Sequence, residues 1–196
     1  MKWRRAVVAG VASLIALLPI TASAATTSSN TIINVTVAQV ISMSTATPVA
    51  ISITPTPGGV VSSSSDTVTV NTNSSTGWTL TLSDADTNTN LVFGANTMAA
   101  HSGTQASPTA LANNTWGYRI DSVGGFGAGP TVAETNNASS TTTWAGVPSS
   151  ASPNTIKTSG TTATNDTTTV WYGVRTTSSQ PSGVYTDTVT YTATTT

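Results

Sequence analysis

A strict alternation of residue types constrains this chain more than any other feature. In Trp78-Thr79-Leu80-Thr81-Leu82 large apolar side chains take turns with threonine. The same period of two recurs at Ile33, Val35 and Val37, at Ile51 and Ile53, at Val68 and Val70, and along Val184 to Ala193. Such a period sends successive side chains to opposite faces of a strand, so one face is buried and the other is wetted. Threonine suits the wetted face because it is both β-branched and polar. No stretch after residue 24 carries the 3.6-residue period of an amphipathic helix. Composition follows from the same design. Asp, Glu, Lys and Arg make up 7% of the 196 residues, where an average soluble domain has roughly a quarter. Thr and Ser together supply about a third of the chain.

That composition excludes several classes. Six Lys and Arg cannot build the basic patch that neutralises phosphates, so nucleic acid is not an expected partner. A coiled coil would be rich in Glu, Lys and Arg. Charged disorder goes with high net charge and few aromatics, whereas this chain has a net charge of −1 and five Trp.

The beginning of the chain has the pattern of a secretory signal peptide. Lys2, Arg4 and Arg5 form a positive region, Ala6 to Ile20 an apolar run, and Ala22-Ser23-Ala24 a small-residue cleavage site. The run is shorter than the roughly 20 residues of a membrane span. Residues 1–24 are therefore expected to be removed. Beyond them no further membrane span and no Leu-Pro-x-Thr-Gly sorting signal is expected, and the protein is expected to be secreted or surface-associated. Only Arg119, Lys157 and Arg175 remain as cations after residue 24, against all seven acids, a net charge of −4. There is no Cys, so neither a disulfide framework nor a lipid-anchored cysteine is available.

Residues 25–31 read as a polar leader and 32–196 as a single domain. Turn signals between short alternating runs predict an all-β, immunoglobulin-like antiparallel β-sandwich of about seven to nine strands. Ser62 to Ser65 read as a polar turn, Asn96 to Asn114 as a long loop with short elements, and Gly124 to Pro130 as a glycine-rich loop. The clearest strands are Thr169 to Arg175 and Val184 to Ala193.

Candidate sites are few. Trp78, Trp144 and Trp171 either fill the space between sheets or offer exposed platforms for sugar rings. Trp144, between Thr143 and Ala145 in a loop-like stretch, is expected to be the most exposed. Asp84, Asp86 and Asn88 place oxygen side chains at alternate positions, as in the first part of a calcium loop, although Thr89 and Ala95 replace the usual Gly and closing Glu. The same residues are also ordinary turn formers. His101 is the only histidine and is expected in a solvated loop. With one His, no Cys and no Gly-x-Ser-x-Gly elbow, zinc and serine-hydrolase chemistry are not expected. Asp121, Glu134 and Asp166 are the free acids, and nothing pairs two of them across a sugar site. Lys157 raises the further option of a lysine–asparagine cross-link beside an acid.

Two blocks carry a resemblance. Thr76-Gly77-Trp78-Thr79-Leu80-Thr81-Leu82-Ser83 resembles the first Trp-x-Leu motif of WxL-type domains, secreted bacterial modules that attach non-covalently to the cell wall. Ser182-Gly183-Val184-Tyr185-Thr186-Asp187-Thr188-Val189-Thr190-Tyr191-Thr192-Ala193 is similar to that family's closing strand. Tyr191 and Ala193 stand where its second Trp-x-Leu would be. With Asn114-Thr115-Trp116-Gly117-Tyr118 between them, the blocks also resemble surface proteins of small-genome bacteria. The resemblance implies a β-sandwich at the cell surface. The expected function is non-catalytic, a structural or adhesive role in the envelope, with a cell-wall polymer, other surface proteins or further copies of the chain as partners. The alternative is a carbohydrate- or wall-binding module with exposed aromatics.

Overall fold

The computed structural model describes residues 24–46 and 48–196. The chain divides into one unit up to Thr36 and a second, Val37–Thr196. In the first, residues 24–36 are exposed and without secondary structure, so the strand expected around Ile33 does not form there. The signal peptide, apart from Ala24, lies outside the described residues.

The second unit is all-β, with no helix among the described residues. Its strands are β1 (Ile41–Thr45), β2 (Val60–Thr72), β3 (Trp78–Asp84), β4 (Leu91–Phe93), β5 (Asn96–Ala100), β6 (Thr109–Ala110), β7 (Thr115–Arg119), β8 (Thr143–Trp144), β9 (Asn154–Ser159), β10 (Ala163–Thr176) and β11 (Val189–Thr195). Eleven strands exceed the expected seven to nine because β4, β6 and β8 are only two or three residues long. A six-stranded sheet runs β1-β2-β10-β7-β5-β4 and a three-stranded sheet runs β11-β3-β9. All pairings are antiparallel except β5 with β7.

The two sheets share one core. Val68 and Val70 of β2, Trp116 and Tyr118 of β7, and Val170, Tyr172 and Val174 of β10 meet Trp78, Leu80 and Leu82 of β3 and Ile156 of β9. On each strand these residues have one parity, as the sequence period requires. The two blocks that carry the resemblance are neighbours, with Leu80 opposite Ala193 and Leu82 opposite Tyr191. The last strand is shorter than expected, starting at Val189 rather than Val184.

Ser62 to Ser65 are not a turn but the middle of β2, paired with Val174 to Trp171 of β10. Their hydroxyls explain the exception. Ser63 Oγ accepts the Glu134 N–H and Ser62 Oγ accepts the Asn136 N–H, both at 2.9 Å. Bonds between Ser63 N–H and Glu134 C=O, and between Val61 and Asn137 in both directions, complete the seam. Serine here serves a loop laid across the strand, so a cluster that is turn-like in composition is strand in place.

The same loop leads to Trp144. β7 and β10 place Gly117 opposite Gly173, a flat patch in the sheet. The Trp144 ring covers Gly173, so that a Cβ there would lie 2.6 Å from Cζ2. The neighbouring Ala145 exchanges two backbone hydrogen bonds with Tyr118, at 2.8 and 3.0 Å. Trp144 joins Val61 and Leu111 in a small second cluster, with Trp171 partly buried against it.

Candidate functional site

Trp78 and Trp144 are both fully buried, which corrects the expectation that Trp144 is exposed. Gly173, which its ring covers, is far from it in sequence, so no local signal marked the site as a core position. Trp171 is the half-exposed member of the set. His101 is likewise buried rather than solvated. Its Nε2 lies 2.8 Å from Thr109 Oγ1, its Nδ1 accepts the Ala112 N–H at 3.4 Å, and burial lowers its pKa.

The charged residues are committed to local structure. Arg119 bonds Asp121 at 3.1 Å and Thr143, while Glu134 accepts from Asn137, Ser140 and Thr142. Arg175 donates to Asn113 at 2.8 Å and to the Gly58 carbonyl. Lys157 pairs with the Asp166 carboxylate, donates to the Thr167 carbonyl at 3.1 Å and lies 5.8 Å above the Trp78 ring. Those partners are an acid, a carbonyl and a ring, not the asparagine that a cross-link requires.

Asp84 and Asp86 shape the loop that follows β3. Asp84 Oδ1 accepts the Asp86 N–H at 3.0 Å, and Asp86 Oδ1 accepts the Asn88 N–H at 2.6 Å. These are Asx turns, the use that the composition of the loop already suggested. Among the described residues, no three His, Cys, Asp or Glu side chains gather to hold a metal ion. Sequence reasoning missed Asp187. It faces Asp84, which is buried and whose Oδ2 has no hydrogen-bond partner. Their proximity follows from the β3–β11 pairing, in which Asp84 stands opposite Val189.

Burial, reinforced by Asp84 and Asp86 and opposed by the Thr188 N–H, pushes the Asp187 carboxyl up to about 6. The folded chain keeps a proton that the unfolded chain releases from about pH 3.8 upward. Asp187 therefore weakens the fold as pH rises through that window and stabilises it relatively below. Asp121 lies outside the window. Burial alone would raise it, but bonds from Thr131 and Arg119 outweigh burial and hold it below the usual value. His101, lowered by burial, works against Asp187. The contrast between variants is thus decisive. The Tm of Asp187→Asn should exceed that of the parent by a margin that grows from pH 4 to pH 7. A constant margin would contradict the assignment. Millimolar calcium at pH 7 checks the loop separately, since a bound ion would raise Tm and a chelator would reverse the rise.

An apolar cleft of about 590 Å³ opens into the second unit. Val49, Ile51, Ile53 and Val184 to Val189 line it, together with Trp116, Tyr172 and Tyr191. The Tyr172 and Tyr191 hydroxyls are 2.6 Å apart, and burial pushes both phenols well above their ordinary values. The buried Asp66, which also lines the cleft, accepts the Ala46 N–H at 3.0 Å. Val49, Ile51 and Ile53 are half-buried and alternate with exposed Ala50 and Ser52, the burial pattern of a strand. Yet among the described residues Pro48 to Ile53 makes no backbone hydrogen bond. Apolar walls beside unpaired backbone suit an extended peptide segment better than a small polar molecule.

No family model matches the chain, and no curated protein or solved structure matches it.

Proposed function

We infer that the protein is a non-catalytic component of the bacterial cell envelope, exported by its N-terminal signal, in which an immunoglobulin-like β-sandwich serves a structural or adhesive role. One observation carries this reading. The three cations of residues 24–196 are all engaged in internal hydrogen bonds, and the exposed strand positions are dominated by threonine and serine. Such a surface meets its partners through hydroxyl groups and backbone edges rather than through charge. The partners are then a wall polymer or other surface proteins.

Fractionation of producing cells tests the reading. The protein should be found in the envelope or medium with Ala25 at its N-terminus, and retention in the cytoplasm with Met1 intact would refute it. Pull-down on purified cell wall separates the two modes of attachment. Release by soluble glycan would favour a wall-binding module, and indifference to glycan a structural one.

A further inference from the structure

The cleft lacks a strand, and the chain carries one that is unused. Ile33, Val35 and Val37 alternate with Asn34 and Thr36 and are 82%, 79% and 77% exposed. Ile32, at 83%, extends the patch. Residues 24–37 make no hydrogen bond among the described residues. An alternating apolar segment left in water is a strand without a sheet. Two sheet margins are open to receive one. β11 is the edge of its sheet, and Pro48 to Ile53 has strand-like burial but no backbone partner. Open edges of this kind are templates for pairing with another chain.

We propose that the cleft between Val49–Ile53 and Val184–Val189 takes the Ile32–Val37 segment of a second copy of this chain, so that copies join head to tail by strand donation. The proposal rests on the structural reading above and names the partner. The residues that follow the segment are anchored at the end of β1 away from the cleft's lining. Ala38 and Val40 are held at the Ile41 end of β1 by Asn73 and Thr72, through bonds of 2.7 to 2.9 Å. Of β1 only Thr45, at its other end, lines the cleft, followed by Pro48, roughly 13 Å further along at the rise of a strand. Reach to a neighbour is ample. Residues 24–37 extend up to about 46 Å, against a radius of gyration near 15 Å for a domain of this size.

Size also fits. A six-residue strand is about 20 Å long. Covered on both faces, with its backbone paired, it buries several hundred Å², on the scale of the roughly 800 Å² per partner of a stable interface. The chemistry agrees, because the segment has no charged group and the cleft wall is apolar, with the phenol pair held neutral. Donor and acceptor lie on different surfaces, so the contact is heterologous and does not close on itself.

The test uses the purified protein at about 100 μM, a concentration at which micromolar association is visible. Electron microscopy and size-exclusion chromatography should show chains of copies. The variant Ile33→Asn/Val35→Asn/Val37→Asn should be monomeric with an unchanged Tm, because these side chains touch no core. A synthetic peptide of residues 30–39 should bind that variant, and the same peptide with the three Asn replacements should bind at least tenfold more weakly. Val49→Asn/Ile51→Asn, added to the variant, should also lower peptide affinity at least tenfold. A monomeric parent, assembly of the triple variant like the parent, or peptide binding indifferent to Val49 and Ile51 would each overturn the proposal. An envelope protein that stays monomeric sinks strand donation alone. A protein retained in the cytoplasm that still forms chains in vitro sinks the envelope reading alone.

Discussion

Trp78→Ala should lower the stability of the fold by about 3–5 kcal/mol, the cost of emptying a fully enclosed tryptophan site. Trp78 has no exposed surface and opens β3, with Thr195 of β11 on one side and Ser159 of β9 on the other. It lies in the core shared by both sheets. Collapse around the cavity is limited because Gly77, at φ +100°, fixes the entry to the strand. A Cβ there would lie 2.0 Å from the Ser159 carbonyl oxygen. The loss includes the Lys157 ammonium held above the ring. Its indole N–H has no hydrogen-bond partner, so no such bond is lost and the effect is almost wholly packing. Domains of this size have roughly 5–15 kcal/mol in all. The urea midpoint should fall sharply with little change in slope, and Tm should drop by about 10 °C. Trp171→Ala should cost less than half as much, because that side chain is already partly in water. Equal losses at the two positions would mean that Trp78 is not the centre of the core.

Gly173→Val should be nearly as damaging, for the opposite reason. The added Cβ would meet Trp144 at 2.6 to 2.8 Å on three ring atoms. Strands on both sides of Gly173 prevent the sheet from giving way, with Ser63 on β2 and Gly117 on β7. The indole must leave, while Ala145 keeps the backbone attached to Tyr118. Overpacking of a well-packed site typically costs about 1–3 kcal/mol, and ejecting the ring takes the loss toward the upper end. Tryptophan fluorescence should shift to the red as Trp144 meets water. A double-mutant cycle isolates the contact. In the Trp144→Ala background, Gly173→Val should cost far less than in the parent. Additive losses would place the damage elsewhere.

Both sites show how far local sequence reaches. Trp78 was legible because Leu80 and Leu82 share its parity, and parity alone assigns a side chain to a face. Trp144 was not, because its flanking residues are Thr, Ala and Gly, and Gly173, the residue its ring covers, is distant in the chain. Ser62 to Ser65 misled for a related reason. Their hydroxyls serve a loop some seventy residues on, so composition pointed to a turn where pairing with β10 made a strand. Asp84 and Asp86 were found by spacing, but Asp187, whose own carboxyl is pushed up beside them, is brought in only by the pairing of β11 with β3. The segment around Ile33 has flawless alternation and no strand. Period describes how a residue would sit in a sheet, and it cannot supply the neighbour that makes one.

The sequence by itself determined the all-β class, the core parity of β2, β3, β10 and β11, and the scarcity of charge. These follow from local rules, in which a period of two and β-branched polar residues on the wet face leave little else to choose. The tertiary structure decided which aromatics are enclosed, which carboxylates meet, and which apolar residues join Ile51 and Val189 in lining one cleft. Those are contacts between residues distant in the chain, and only pairing of the strands brings them within reach of one another.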